Sequence, residues 1–274
     1  MSYQNDLKQH LTEYKKLWLG ISEPGVFRHR GRDLLYGHIL PVQNAELNLF
    51  EEARHFRQIY TNVKLHRYFH HLNSSQAFAI NLFFPFFSGK PEAASALLRA
   101  LGSPGVFASW EPEWVPDPIE RTNIDVSWRT ESGATTVCEV KLSETDFGKT
   151  LDDSRHREKF PAYRDRLIPH LEATRLERVA FFDAYQFNRN VYHMVLNDGT
   201  RLLFLLPRAN TVLWERLKEL LNGVMPSTRA RISAVAIETA IAALCTDEKC
   251  PKEMREYAAR LKQKYVIPNG AERS

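Results

Sequence analysis

The sequence predicts a mixed α/β protein, and three observations support this prediction. Through the first hundred residues, apolar positions recur three to four residues apart, as they do on amphipathic helices. From residue 123 onward the apolar period changes to two, which is typical of half-buried strands. The remainder alternates short apolar runs with amphipathic stretches. This alternation indicates a mixed sheet with helices on both faces.

Three helices are predicted before residue 105. The first spans residues 43–60, where apolar side chains recur at three-residue steps. The second spans residues 74–84, with Ser74 as its N-cap and Pro85 as its stop. The third spans residues 91–101 and opens with a proline, which is favoured in the first turn of a helix.

A hairpin and an alternation of strands and helices follow. The predicted strands are residues 123–129, 135–142, 178–183, 201–206 and 231–237. The predicted helices are residues 185–196, 211–221 and 253–265. Residues 130–134, with Ser132-Gly133 at their centre, form the loop of the hairpin.

A stretch rich in proline and glycine, residues 104–118, marks a change of architecture. It also contains Trp110 and Trp114, which are costly to expose on a free linker. We therefore predict a helical N-terminal region, residues 1–105, packed on a core formed by residues 106–274. The two regions are expected to make one compact unit.

Composition excludes several classes of protein. Hydrophobic residues make up 43% of the 274 residues, which excludes a mainly disordered chain. The most apolar run, residues 77–87, is too short for a membrane span, which needs about 20 residues. The N-terminus has no apolar signal segment, and three cysteines cannot form a disulfide framework, so we expect a cytoplasmic protein. Cys245 and Cys250 could be half of a zinc site, or simply a helix cysteine and one near the helix end.

The net charge of +4 is small, but its distribution is uneven. No acidic residue occurs between Ala53 and Pro91, where basic and aromatic side chains alternate. This pattern is typical of a surface that follows nucleic-acid phosphates, and a solvated helical face is the alternative. The predicted DNA-binding residues are Arg54, Arg57, Lys64 and Arg67.

The hairpin carries the residues with the clearest chemistry. Folding it symmetrically about Ser132 places Asp125 directly opposite Glu139, with Cβ atoms about 5 Å apart. Lys141 points to the same face, two residues further on. Two opposed carboxylates repel each other, and a hard divalent cation such as Mg²⁺ would cancel the repulsion. Ordinary surface charge is the alternative interpretation.

These residues resemble the core motif of the PD-(D/E)XK nucleases, the restriction-endonuclease-like superfamily. The resemblance rests on Asn-Ile-Asp-Val-Ser-Trp at residues 123–128 and Glu-Val-Lys at residues 139–141, with thirteen residues between Asp125 and Glu139. The string Glu-Val-Lys-Leu-Ser-Glu-Thr-Asp-Phe-Gly, with residues 74–76 and 81–83, is similar to uncharacterised bacterial restriction-endonuclease-like proteins. Ile124 stands where the family name has proline.

The resemblance implies a restriction-endonuclease-like α/β/α core with a mixed central sheet. It also implies phosphodiester hydrolysis with Mg²⁺, for which Mn²⁺ substitutes. Asp125 and Glu139 carry over as metal ligands, and Lys141 as the residue that positions or deprotonates the attacking water. Members of the family often add an upstream acidic residue. The candidates for supporting roles are Gln76, Glu51, Glu52 and Glu144, the last of which could equally be an N-cap.

The sequence thus predicts a DNA endonuclease, most simply of the restriction type. A repair or recombination nuclease of the same fold and a nucleic-acid-binding module without turnover are the alternatives. All three motif residues are present, which favours activity over binding alone. The expected partner is DNA, with no membrane, and the oligomeric state is open between monomer and homodimer.

Overall fold

The computed structural model describes residues 2–103, 105–117 and 122–268, with the backbone alone for Arg155. Pro104 and Pro118 of the proline-rich stretch lie outside these residues. The strands are β1 (Gly25–His29), β2 (Arg32–Tyr36), β3 (Phe107–Trp114), β4 (Ile124–Thr130), β5 (Thr135–Val140), β6 (Arg201–Leu206) and β7 (Ile232–Ala236). The helices are α1 (Tyr3–Leu19), α2 (Glu51–Arg54), α3 (Phe56–Ile59), α4 (Ser75–Phe87), α5 (Pro91–Ala100), α6 (Ser154–Leu167), α7 (Arg178–Asp183), α8 (Tyr185–Val195), α9 (Thr211–Asn222), α10 (Pro226–Arg229), α11 (Ile237–Thr246) and α12 (Lys252–Tyr265).

By their contacts, the residues group into two compact units. One comprises Met1–Phe107 with Ala236–Ser274, and the other Ala108–Val235. The sequence-based division assigns the last two helices to the second region, whereas by contacts they group with the first. The reason is that α11 packs on α5, while α12 packs on α1 and α4. That all of the chain forms one compact unit stays a prediction.

Helix α4 is the apolar centre of the first unit. Ser74 is its N-cap, as predicted, and its side chain accepts a hydrogen bond from the Ala77 N–H. The predicted stop at Pro85 is wrong, because the helix continues to Phe87. Pro85 has no N–H for the carbonyl of Asn81, but the Tyr257 hydroxyl donates to that carbonyl at 2.6 Å instead. The proline is therefore tolerated inside the helix.

The single helix predicted over residues 43–60 is also wrong. A 3₁₀ segment, Val42–Asn48, is followed by the short helices α2 and α3. The break follows Asn48, whose carbonyl accepts from the Lys264 ammonium at 2.6 Å and so does not continue a helical ladder. The Asn48 side-chain amide donates to the carbonyls of Phe69 and His71. The apolar periodicity of this segment is real, but tertiary hydrogen bonds interrupt the helix.

The second unit is built on a five-stranded mixed sheet of order β3-β4-β5-β6-β7. Strands β4 and β5 are antiparallel, and β5 and β6 are parallel. Apolar residues of β5, β6, α6, α8 and α9 share one core cluster. The structure thus confirms a mixed α/β fold consistent with a restriction-endonuclease-like core.

Residues 178–183 form helix α7 and not the strand that the sequence predicts. Phe181 and Phe182 are buried, while Val179 is 80% exposed. The Phe181 N–H donates to the Glu177 carbonyl, four residues back, at 2.8 Å. Periodicity alone cannot distinguish a buried strand from a short buried helix in so short an apolar run.

Two further sequence observations have structural counterparts. Cys245 is half-buried on α11, and Cys250 is buried in the connection to α12. Within the ranges that the structure describes, no helix is long and apolar enough to cross a membrane.

Candidate active site

The β4–β5 hairpin pairs in the register that the sequence predicts. The observed partners run from Val126 opposite Cys138 to Arg129 opposite Thr135. The next positions outward are Asp125 and Glu139. The loop between the strands, residues 131–134, is closed by the Thr130 N–H, which donates to the Ala134 carbonyl at 3.0 Å. Symmetry about this loop is what brings the two carboxylates to one face of the sheet.

Asp125 is half-buried and close to a second acidic side chain. Its carboxylate accepts a hydrogen bond from the Val140 N–H at 2.7 Å, which fixes it beside β5. Burial, followed by the charges of Glu139 and Glu113, raises the pKa of Asp125 well above its ordinary value. The opposed carboxylates therefore repel each other in the folded chain.

Helix α8 supplies two amides that hold Glu139. Gln186 and Asn190 are four residues apart and so lie on one helical face. The Gln186 Nε2 donates to Glu139 Oε1 at 2.6 Å, and the Asn190 Nδ2 donates to Glu139 Oε2 at 3.0 Å. Both oxygens of a side chain that is only 3% exposed are thereby engaged.

Lys141 completes this group of side chains. Its Nζ lies 2.8 Å from Glu139 Oε1 and donates to Gln186 Oε1 at 2.7 Å. Burial lowers the pKa of Lys141, but the carboxylates of Glu139, Glu144 and Asp125 outweigh it, and the pKa is raised overall. The lysine is therefore charged at neutral pH. It contributes a fixed positive charge, and among the described residues its ammonium group contacts Glu139 and Gln186.

Glu144 lies close to the lysine but serves a backbone role. Its carboxylate accepts from the N–H groups of Leu142 and Ser143 at 2.7 and 2.8 Å. Its own carbonyl accepts from the Asn210 side chain at 2.7 Å. The residue shapes the turn after β5, and its charge acts on Lys141 through space.

Glu113 is a further acidic side chain near Asp125, and no sequence pattern selects it. It lies on β3, which is next to β4 in the sheet, and has a φ of +50°, unusual for a residue other than glycine. Its carboxylate accepts from the Asn123 side chain at 3.1 Å. Its charge is the third cause of the raised pKa of Asp125.

The upstream candidates Gln76 and Glu52 have partners in the first unit. The Gln76 amide accepts from the His66 N–H at 2.7 Å and donates to the Lys64 carbonyl at 3.1 Å. It therefore braces the loop that contains Lys64 and His66. Glu52 forms an ion pair with Arg260. Their supporting role at the hairpin site stays a prediction. Glu51 is exposed in the first turn of α2.

The four basic residues predicted to bind DNA are all exposed or border open space. Arg54 and Arg57 line an open groove of about 370 Å³ together with Leu65 and Phe69. Arg57 lies 3.7 Å from Glu46, with 59% of its own side chain exposed. The Arg67 guanidinium lies over the ring of Tyr68, 4.3 Å from the ring centre. Lys64 is exposed in the loop that Gln76 braces.

Gln186 and Asn190 are the site residues that sequence reasoning missed. The helix over residues 185–196 was predictable, and the structure confirms it as α8. The available signal for these two residues was their spacing: two amides lie four residues apart on a helix that is otherwise buried. An apolar face that carries paired amides indicates a buried polar partner, but the sequence does not say which strand residue it meets.

The donor set suits a magnesium ion. Mg²⁺ is usually held by one or two carboxylates, with water and substrate phosphate completing its shell. Asp125 and Glu139 supply two carboxylates that repel each other, and the Oδ1 atom of Asn190 is buried without a hydrogen-bond partner among the described residues. Over residues 2–103, 105–117 and 122–268, no group of three or more His, Cys, Asp or Glu side chains could hold a metal. That Asp125 and Glu139 hold a metal ion therefore stays a prediction.

The sequence profile of one protein family matches nearly all of the chain. The family is described as "Restriction Endonuclease associating with ARP", and the match covers residues 8–266. No curated protein and no solved structure matches the chain. The matched range includes the β4–β5 hairpin, the acid-free segment between Ala53 and Pro91, and helix α8.

Proposed function

The chain belongs to the family of restriction endonucleases associating with ARP, and from this premise we propose that it is a Mg²⁺-dependent DNA endonuclease of the PD-(D/E)XK type. One observation carries the proposal. Asp125 and Glu139 are opposed on adjacent strands, and a charged lysine is held against Glu139 at 2.8 Å. A structural surface hairpin has no need for a buried carboxylate, a buried lysine and two amides arranged around them.

Asp125 and Glu139 would hold the ion, together with water and an oxygen of the scissile phosphate. When bound, the ion polarises the phosphate and lowers the pKa of its water. The residues around it have separate tasks. Gln186 and Asn190 fix the orientation of Glu139, and the backbone of Val140 fixes that of Asp125.

Lys141 fits the task of positioning better than that of general base. A general base has to release its proton near neutral pH, and with no ion on Asp125 and Glu139 the raised pKa of Lys141 opposes this release. As an ammonium it donates hydrogen bonds and stabilises negative charge at the phosphate. We therefore assign it to orienting the attacking water or the phosphate.

Cleavage of supercoiled, unmethylated plasmid tests the proposal. We expect nicking or linearisation with Mg²⁺ or Mn²⁺ and none with EDTA. Glu139→Ala and Lys141→Ala should each abolish cleavage while leaving DNA affinity, measured with Ca²⁺, within a few-fold, because affinity comes mostly from phosphate contacts elsewhere.

The matched control is Glu131→Ala, an acidic side chain exposed in the loop of the same hairpin. It should cleave like the wild type. Full cleavage by Glu139→Ala or Lys141→Ala would refute the assignment of the site. Tight DNA binding by a wild-type chain that never cleaves would support the binding module without turnover.

A further inference from the structure

The β1–β2 hairpin, residues 25–36, has an unusual concentration of exposed positive charge. Its tip reads Arg28-His29-Arg30-Gly31-Arg32, with a single acidic residue, Asp33, beside it. Every residue from Arg28 to Tyr36 is exposed. Asp33 is bound to Arg28, with Nε to Oδ1 at 2.8 Å, so Arg30 and Arg32 remain as the cations at the tip. We call residues 25–36 the basic hairpin.

The turn of the basic hairpin is strained at an arginine. His29 pairs with Arg32, so Arg30 and Gly31 form a two-residue loop, and their φ angles are +48° and +77°. Asn, Asp or Gly are favoured at the first position of such a turn, because a side chain with a Cβ is otherwise crowded there. The fold therefore presents an arginine at its exposed tip at a conformational cost.

One side of the basic hairpin is anchored to the rest of the first unit. The Phe27 ring packs against Tyr68 and His71, with ring centres 5.3 and 5.7 Å apart. The Arg67 guanidinium lies over the ring of the same Tyr68. The anchored side thus adjoins the acid-free segment that the sequence predicts to bind DNA. Isolated two-stranded hairpins are only marginally stable, so this aromatic anchor is what presents the tip.

Shape and charge together select one partner. The major groove of duplex DNA is about 12 Å wide and admits a two-stranded ribbon, whereas the minor groove is about 6 Å wide. Arginine is the side chain that most often reads guanine in the major groove, through two hydrogen bonds. A ribbon with arginines at its tip, and with Arg67 at its base for phosphate, has the chemistry of such a reader.

We propose that the basic hairpin enters the major groove of duplex DNA and that Arg30 and Arg32 contact base edges there, an inference that rests on the proposed function. The hydrolytic residues Asp125, Glu139 and Lys141 have no part in this recognition. The hairpin then determines where the chain binds, and the β4–β5 site determines what it does to the bound strand.

The test compares two duplexes of about 300 base pairs and identical sequence. In one, the cytosines carry glucosylated 5-hydroxymethyl groups, which fill the major groove and leave the phosphates unchanged. With Ca²⁺ in place of Mg²⁺, the wild type should bind the modified duplex at least tenfold more weakly. Arg30→Asn/Arg32→Gln should bind both duplexes about equally, at the weaker affinity.

The variant is chosen so that the fold survives. Asparagine suits the conformation of residue 30 better than arginine does, so the melting temperature should not fall. The control Lys16→Gln/Lys252→Gln removes two exposed cations of α1 and α12, and should discriminate between the duplexes like the wild type.

The outcomes separate this inference from the proposed function. A wild type that binds both duplexes alike, or an arginine variant that still discriminates, overturns the major-groove assignment even if the chain cleaves DNA. A chain that discriminates and never cleaves keeps the assignment and refutes the nuclease. A third outcome also overturns the proposal. The arginine variant would keep its DNA affinity, and Val26→Ser/Leu35→Ser would dissociate an oligomer. The hairpin would then be a contact between proteins.

Discussion

Lys141 and Lys264 are both buried, but their surroundings differ. Lys141 is 5% exposed and lies against Glu139, within the field of two further carboxylates. Lys264 is 1% exposed on α12 and donates to the carbonyl and the Oδ1 of Asn48, at 2.6 and 2.9 Å. The rings of Phe50 and Tyr265 lie 5.2 and 5.0 Å from its Nζ.

The two pKa values respond in opposite directions. The carboxylates around Lys141 outweigh its burial and raise its pKa, whereas burial lowers the pKa of Lys264 to about 7. Burial therefore does not by itself determine the charge of a lysine; the charges of its neighbours do. Lys141 keeps its proton at neutral pH. Lys264 holds its proton weakly, and the consequence is a dependence of stability on pH.

The largest effect that we predict is this dependence of stability on pH. The folded-state pKa of Lys264 is about 7 and the ordinary value is 10.5. Between these values the unfolded chain binds the extra proton, so stability rises with pH. From pH 7 to pH 9 this group should add about 2 kcal/mol to the free energy of unfolding. Denaturant titrations should show that increment in the wild type but not in Lys264→Met.

Lys141→Met is the matched control for this prediction. Its pKa is raised in the folded chain, so its removal should leave the increase between pH 7 and pH 9 in place. Equal pH profiles for the wild type and Lys264→Met would show that the burial of Lys264 has no such cost. The contrast between the two lysines would then fail.

A second prediction concerns the amides that accompany each lysine. Gln186 joins Lys141 to Glu139, whereas Asn48 joins Lys264 to the backbone. Gln186→Met keeps the volume of the side chain and loses both hydrogen bonds, so cleavage should slow at least tenfold, as is typical of residues that orient metal ligands. DNA affinity with Ca²⁺ should not change.

Two measurements distinguish this positioning role from a packing role. Melting temperature should change little in Gln186→Met, because the substitution conserves shape. Gln186→Glu still accepts from Lys141 but no longer donates to Glu139, so its pH–rate profile should differ from that of the wild type. Wild-type cleavage rates in Gln186→Met would remove this residue from the site.

The sequence was sufficient for the strands that bear the motif. Alternation with period two located β4 and β5, and the glycine-containing loop determined their register, because a symmetric hairpin leaves no freedom in pairing. The same local rules failed where distant groups decide. Asn48 interrupts a helix because Lys264, from the far end of the chain, binds its carbonyl. A distant group also lets α4 continue past Pro85, because the Tyr257 hydroxyl binds the carbonyl that the proline cannot reach.

The candidate site was predictable to the extent that it is local. Asp125, Glu139 and Lys141 lie within seventeen residues, on two strands joined by a tight loop. Gln186 and Asn190 reach Glu139 from a helix almost fifty residues later. Their contact depends on how α8 packs on β6, which periodicity does not determine. The basic hairpin was missed because its strands are mostly exposed and show no apolar alternation.

The smallest effect that we predict concerns Asp125. A neutral side chain at this position would relieve its repulsion with Glu139, the carboxylate that Lys141 contacts. Because the folded-state pKa of Asp125 is raised, its ionisation destabilises the fold as pH increases above about 4, the ordinary value. Asp125→Asn keeps the shape and removes the charge. With EDTA present, the variant should therefore melt above the wild type at pH 8, and the difference should vanish near pH 4.

The response of Asp125→Asn to metal should have the opposite sign. An ion that binds only the folded wild type stabilises it by about 1.4 kcal/mol at ten times its Kd, which raises the melting temperature by a few degrees. Asp125→Asn should lose most of this gain, because it removes a charged ligand. A generic surface substitution does not produce a gain with EDTA and a loss with Mn²⁺ in one variant. If Asp125→Asn is neutral with EDTA and responds to Mn²⁺ like the wild type, Asp125 and Glu139 do not share an ion, and the charge of Lys141 then balances Glu139 alone.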